Sequence, residues 1–287
     1  MAETEREYTD GHGVAIVYDV HPASGTPRGV VQLLHGVGEH AGRYGALIDA
    51  LTAQGFIVYA DDHRGHGRTG MKQWNGDVSK LGRLGPGGVP AAVAALWQFT
   101  EIIRAEDPGL PLVLLGHSWG SFMSQMLVDR HPEAYDGMVL SGTIYRQFGW
   151  GNLGDLNEPW SGPDATGLEW LASDPRVGAA FIADPLTTST PMRELFGLHG
   201  QLRMMGRPGK NVDRDIPILL MVGRDDTVGG PRSVHKLADA YRSRSGLTDV
   251  TTLVYPDARH EIFNDVSQAE VRADLLAWLD AHFPARD

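Results

Sequence analysis

The chain has 287 residues, 42% of them hydrophobic, with a formal charge of −11 and no cysteine. That is enough apolar material for one large core, or for a core carrying an insertion. The acidic balance argues against nucleic acid and anionic membrane surfaces as broad partners, and the missing cysteines exclude disulfides, thiol nucleophiles and cysteine-held metal.

The start, residues 1–7, is acidic and lacks the apolar stretch of a signal peptide. No apolar run approaches the ~20 residues that a spanning helix needs. The expected setting is cytoplasmic, with no stable membrane insertion.

Residues 14–20 alternate moderately and predict an early strand, with Tyr8 and Thr9 pairing beside it. An apolar strand over Gly29–Leu34 ends in His35-Gly36-Val37-Gly38-Glu39-His40. Glycines just past a strand permit a tight loop whose amides point into a cleft. A helix over 44–54 is closed by Gly55. A strand over 56–60 ends in the polar run Asp61-Asp62-His63-Arg64-Gly65-His66-Gly67-Arg68-Thr69. Residues 71–90 read as a long irregular loop, and 91–106 as an alanine-rich helix.

The next stretch organises the rest. A short Leu/Val run after Pro111 predicts a strand buried on both faces, followed by Gly116-His117-Ser118-Trp119-Gly120 and the start of a helix. A serine on a sharp strand-to-helix turn takes a strained backbone conformation, and neighbouring elements approach closely. Glycine two residues to either side removes the Cβ atoms that would clash. The turn lifts the Ser118 hydroxyl above the sheet edge and leaves the Trp119 amide free at a helix N-terminus. The alternative is a serine cap after a buried strand. The strand before and the helix after favour a nucleophile.

Further strands are predicted over Gly137–Ser141, Ile218–Gly223 and Val250–Tyr255, with helices over 232–245 and 267–283. Strands that are apolar on both faces and alternate with helices imply an α/β fold with a mostly parallel central sheet flanked by helices. Ligands bind such sheets at the carboxyl ends of the strands, where each unusual polar cluster falls. Residues 144–211 break the alternation. They carry tryptophans, phenylalanines and methionines among prolines and glycines, with helical stretches over 169–183 and 191–205. The expected organisation is a core of 1–143 and 212–287, with 144–211 as a helical cap inserted after the strand ending near Ser141. Most apolar side chains of the cap should build its own small core, and a minority should line a slot over Ser118.

A serine needs a base, normally a histidine oriented by a carboxylate. His131 lies far from the turn, His235 and His282 fall inside predicted helices, and His199 is in the cap. His260 lies just past the strand ending at Tyr255 and is the best base. The acid should follow an earlier strand: Asp226 is preferred, with Asp225 second, while Asp257 belongs to its own turn. The second oxyanion donor, beside Trp119, should be the Val37 amide. His35, His40, His63 and His66 raise a metal reading, but they lack the spacing of an open metal site. Tying two loops together is the expected role of their rings.

These motifs, with Arg43-Tyr44, Gly223-Arg224-Asp225-Asp226-Thr227-Val228 and His260-Glu261, resemble the monoacylglycerol lipase and lysophospholipase branch of the α/β-hydrolases, also called serine aminopeptidase-like hydrolases. The resemblance covers nearly the whole chain. It implies an α/β-hydrolase fold, Ser118 as nucleophile, Asp226 as acid, His260 as base, and Val37 and Trp119 as oxyanion amides, without a cofactor or metal. Two positions depart from the pattern. Trp119 stands where these lipases commonly have methionine, and Ser121 where a second glycine is usual. The larger ring is expected to shorten or reshape the acyl slot.

The expected function is hydrolysis of a carboxylic ester, namely a monoacylglycerol, lysophospholipid or simple acyl ester, through an acyl-enzyme. The rivals are an amide or peptide hydrolase on the same triad and a non-catalytic ligand-binding protein that keeps the fold. The apolar cap leaves a homodimer open.

Overall fold

Apolar side chains on both faces of the central strands decide the architecture. The computed structural model describes residues 4–210, 212 and 214–285. Residues 1–3 of the acidic start, and residue 211 at the far limit of the expected cap, lie outside the described residues. Strands β1 (Thr4–Thr9), β2 (Ala15–His21), β3 (Gly29–Leu34), β4 (Phe56–Asp61), β5 (Leu112–His117), β6 (Gly137–Ser141), β7 (Ile218–Gly223) and β8 (Val250–Tyr255) form one sheet in the order β1-β2-β4-β3-β5-β6-β7-β8. β1 and β2 pair antiparallel, as does β2 with β4, and the other neighbours are parallel.

Side chains alternate between two cores, as the two-residue period of a strand requires. Leu112, Leu114, Leu140, Leu220 and Val222 join one core with α3 (Gly88–Glu106), α4 (Trp119–Arg130) and α7 (Gly230–Ala240). Val113, Leu115, Val139, Leu219 and Met221 join the other with α1 (Gly45–Ala53) and α8 (Gln268–His282). The register brings the carboxyl ends of four strands level: Leu34 pairs with Gly116, His117 with Ser141, and Ser141 with Met221. The site stands on that shelf.

Three expectations about local structure change. Residues 71–90 are not one loop: α2 (Gly67–Gln73) runs into them, a 3-10 turn spans Val78–Lys80, and α3 begins at Gly88. α2 stands against β2, where the Thr69 hydroxyl accepts the Val17 amide at 2.8 Å, and its Gly70 lets Gly65 and Leu81 approach. The helix expected from residue 169 starts only at Pro175, as α5 (Pro175–Ala183). Asp174 caps it, accepting the Arg176 amide at 2.9 Å, and proline fits the first turn because its missing N–H would have no partner there. α6 (Met192–Met204) is broken at Gly197, which has φ 62° and ψ 179°. Among the described residues, no helix is long and apolar enough to cross a membrane.

Candidate active site

Ser118 has φ 50° and ψ −121°, between β5 and α4. Among the described residues, only Asn75 shares a positive φ outside glycine. Such strain persists only where the surroundings hold it. Here they do. The Ser118 amide donates to the Ser141 carbonyl at 2.9 Å, and its own carbonyl accepts the Ser121 amide at 2.9 Å and the Ser121 hydroxyl at 2.5 Å. A Cβ on Gly120 would collide with the Leu34 and His35 carbonyls, and one on Gly116 would collide with the Ser124 hydroxyl. Ser121, a departure from the usual pattern, therefore clamps the turn. The Ser118 side chain makes no hydrogen bond among the described residues, and the residue is 6% exposed.

His260 follows β8 in the loop expected for the base. Its Nδ1 lies 3.1 Å from each Asp226 carboxylate oxygen. Asp226 Oδ1 is held in turn by the Val228 amide at 2.8 Å. Asp225 makes no such contact with His260. The His260 Nε2 is buried and has no hydrogen-bond partner among the described residues, so no bond runs from it to Ser118. Burial opposes charging of the ring, but the Asp226 charge and hydrogen bond outweigh it and raise the pKa above the ordinary 6.5. His117 packs against this ring at 4.8 Å. Burial, and then the nearby His260, pull His117 down to about 3, so it adds no positive charge to the site near neutral pH.

Val37 follows β3, and its neighbour Gly36 is fixed by donating to Glu39 Oε1 at 2.6 Å. The amides of Val37 and Trp119 have no protein acceptor among the described residues. A Cβ placed on Gly36 would stand 3.2 Å from the Ser118 Cβ. The loop after β3 therefore runs alongside the serine.

The family described as serine aminopeptidase, S33, matches residues 25–267. The chain belongs to this family. It is 33% identical over 294 residues to a monoacylglycerol lipase of Mycolicibacterium smegmatis, covering 97% of this chain and 98% of the relative. It is 25% identical to the monoglyceride lipase of Mus musculus, covering 91% and 86%. A thermostable carboxyl esterase from Bacillus coagulans, solved with glycerol, superposes with a TM-score of 0.84 at 28% identity, covering 99% of both chains.

Around the site of this S33 hydrolase lies a buried ionic network whose partners are far apart in sequence. Arg43 donates to Glu39 at 2.7 Å and, through both terminal nitrogens, to Glu261 at 2.7 and 2.8 Å. The Tyr44 hydroxyl donates to Glu39 at 2.6 Å. Burial favours the acid form of Glu39, but Arg43 and these donors hold its pKa below the usual carboxylate value. Arg43 and Glu261 are 218 positions apart, so no local pattern in the sequence could pair them.

His35 and His63 tie the two glycine loops together, whereas His40 bonds Asp184 and His66 bonds within its own loop. His35 stacks on His63 at 3.8 Å, and its Nε2 accepts the His63 amide at 2.9 Å. His63 Nδ1 lies 2.8 Å from the Asp61 carboxylate. Burial holds His66 down at about 4, and its Nδ1 donates to the Arg64 carbonyl at 2.9 Å. Trp119 is fully buried, its ring lying between His66 at 5.1 Å and Phe196 of α6 at 5.0 Å. The ring thus packs into the core, and Phe196 covers it. Phe196 in turn lines a cavity of about 420 Å³ with Leu84, Val89, Leu195, His199 and Arg203.

The excursion between β6 and β7 grips the His260 loop. The His260 amide donates to the Trp170 carbonyl at 3.4 Å and the Glu261 amide to the Leu171 carbonyl at 2.7 Å. The Trp170 ring packs on the His260 ring at 5.0 Å. Leu168, Leu171 and Phe181 form a small apolar cluster of their own. Phe148, Leu153, Ile182 and Leu198 are exposed on the outside of the excursion.

Proposed function

We propose that this protein hydrolyses carboxylic esters of the monoacylglycerol type through an acyl-enzyme. The Ser118 hydroxyl attacks the ester carbonyl, and His260 Nε2 takes its proton. The Val37 and Trp119 amides bind the oxyanion. His260 then returns the proton to the leaving alcohol, and the Ser118 acyl ester forms. Water activated by the same nitrogen releases the acid and restores the serine. Asp226 keeps the His260 proton on Nδ1 and stabilises the imidazolium that forms.

The observation that carries this reading is the Asp226–His260 pair, with Nε2 unpartnered, on the same strand ends as the strained Ser118 turn. Catalytic hydrogen bonds often tighten only when substrate binds, so the long Ser118–His260 approach does not count against the pair. The lipase and esterase names of the relatives support the ester class. Residues 144–211 act as the cap, and their exposed apolar side chains suit a lipid ester as substrate.

An amide substrate is the second reading, favoured by the aminopeptidase description of the matching family. The test is turnover of p-nitrophenyl esters of increasing chain length, 1-monoacylglycerol, lysophospholipid and an aminoacyl p-nitroanilide, by wild type and Ser118→Ala. Ester turnover lost in the variant is expected. Turnover of the anilide alone would move the amide reading forward. Equal rates for the two proteins on every substrate would sink both.

A further inference from the structure

The segment after α5 is docked on the loop that carries Val37. The Thr188 amide donates to the Gly38 carbonyl at 2.8 Å. Gly38 has φ +77°, and a Cβ there would run into the Thr188 carbonyl, so glycine alone permits the approach. Two residues further on, His40 Nε2 lies 2.8 Å from Asp184 Oδ2. The Gly42 amide donates to His40 Nδ1 at 3.2 Å, which makes Nδ1 the acceptor and places the proton on Nε2. His40 therefore donates to Asp184. The other Asp184 oxygen accepts the Leu186 amide at 2.9 Å. The pair is largely shielded, with side chains 12% and 28% exposed.

The opposite flank of α5 is fixed to the His260 loop by the Trp170 and Leu171 carbonyls, and by Arg259, which donates to the Glu169 carbonyl at 2.6 Å. Midway, Phe181 lies on the Arg43 guanidinium at 4.9 Å. The α5 segment is thus a strap with one end on the base loop and the other on the oxyanion loop. Val37 sits between Gly36 and Gly38, which bring no side-chain anchor. Glu39 holds the loop from the core through the Gly36 amide. The Asp184–Thr188 segment holds it as well, at Gly38 and at His40.

We propose that Asp184 is a positioning residue for the reaction: by holding His40 it sets where the Val37 amide points, and so ties oxyanion stabilisation to the docking of the α5 strap. This rests on the reading of Val37 as an oxyanion donor. A displacement of about 1 Å at a catalytic group costs on the order of a hundredfold in rate, so a loosened loop is visible in kcat. Substrate binding in the ground state does not use the oxyanion site fully, and KM is spared.

The test compares four full-length proteins on p-nitrophenyl butyrate: wild type, Asp184→Ser, Asp184→Asn and His40→Ala. Serine retains an oxygen for the Leu186 amide but is too short to reach His40. Asparagine has one acceptor oxygen: turned to His40 it keeps the latch and gives up the Leu186 amide. Asp184→Ser is expected to lose about ten- to a hundredfold in kcat, with KM within about twofold. Its inhibition constant for a boronic acid, which forms a tetrahedral adduct on the serine, should weaken by the same factor. Asp184→Asn should stay within about threefold of wild type, a rescue that a general loss of stability would not give. His40→Ala cuts the latch from the other side and should repeat the Asp184→Ser result, which keeps the question decidable if that variant does not fold. An active wild type with Asp184→Ser unchanged in kcat would overturn the proposal alone. So would a lower kcat with unchanged boronic acid affinity. A wild type no faster than Ser118→Ala would overturn the hydrolase reading, and this proposal with it.

Discussion

Arg43 is forked onto Glu261, the residue after His260, with its two terminal nitrogens 2.7 and 2.8 Å from the two carboxylate oxygens. The same guanidinium reaches Glu39 in the loop after β3, so one cation holds two buried carboxylates from opposite sides of the site. Arg43→Met would leave both carboxylates without their partner, and breaking a buried ion pair from one side costs about 3–5 kcal/mol. Arg43→Lys should lose less, because it keeps the charge but not the fork. Urea unfolding measures both. A methionine variant within about 1 kcal/mol of wild type would mean that the network holds nothing together.

The network also fixes the direction of acid sensitivity. The pKa of Glu39 is lowered in the folded protein. Its contribution to stability is therefore complete above the unfolded carboxylate value of about 4.3 and is lost as pH falls through the lower folded value. Glu39→Gln should flatten the decline of stability with falling pH in that acid window. An unchanged acid slope in this variant would place the sensitivity elsewhere.

With His260 as the proposed base, its titration sets the pH dependence of activity. Its raised pKa means that the neutral, proton-accepting ring predominates only above a value higher than 6.5. The acid limb of kcat/KM should therefore lie above 6.5, with activity lost below it. Asp226→Asn removes the attraction and leaves the burial, so the limb should move to lower pH while the plateau falls by about 10⁴. The sign for stability is opposite to that of Glu39. The Asp226–His260 contribution is full below the unfolded histidine pKa and fades as pH rises through the folded one. A limb that stays in place in Asp226→Asn would detach Asp226 from the titration.

The contrast between β5 and residues 169–174 shows what the sequence can and cannot say about this site. β5, the Ser118 turn and α4 are legible because local chemistry dictates them: an apolar run, a serine between two glycines, then a helix. His260 and Asp226 are legible because strand ends in a parallel sheet converge. Residues 169–172 have helical composition but spend their carbonyls on the His260 loop, a demand set by a segment about ninety positions away. The Asp184–His40 and Arg43–Glu261 pairs are invisible for the same reason. α2 is hidden differently, since its glycines read as turn residues although they make room for Asp62, His40, Gly65 and Leu81.

Gly120 tests the strained turn directly. A methyl group there meets the Leu34 and His35 carbonyls, which are backbone atoms of β3 and its exit and cannot swing aside. Gly120→Ala should destabilise the protein by about 1–3 kcal/mol, as overpacking does. It should lower kcat further than that loss of stability explains, because relief comes from moving either the Ser118 turn or the loop that carries Val37. Thermal melting and ester kinetics on the same preparation separate the two effects. A variant with a lower melting temperature and full kcat would show that the turn yields without moving Ser118.

Chain-length preference should depend on Phe196 more than on Trp119. The Trp119 ring is wholly inside the core, whereas Phe196 is half-buried, covers that ring and lines the cavity of about 420 Å³ beside α6. Phe196→Ala would join that space to the face of Trp119 and is expected to raise kcat/KM for long-chain over short-chain p-nitrophenyl esters by about tenfold, the scale on which a pocket senses a few methylenes. Trp119→Phe should cost about 1–3 kcal/mol in stability, since it removes buried volume without opening a path to solvent. If the chain-length profile shifts in Trp119→Phe and stays fixed in Phe196→Ala, the acyl slot runs beneath α6 against the indole itself, and the ring next to the nucleophile sets its depth.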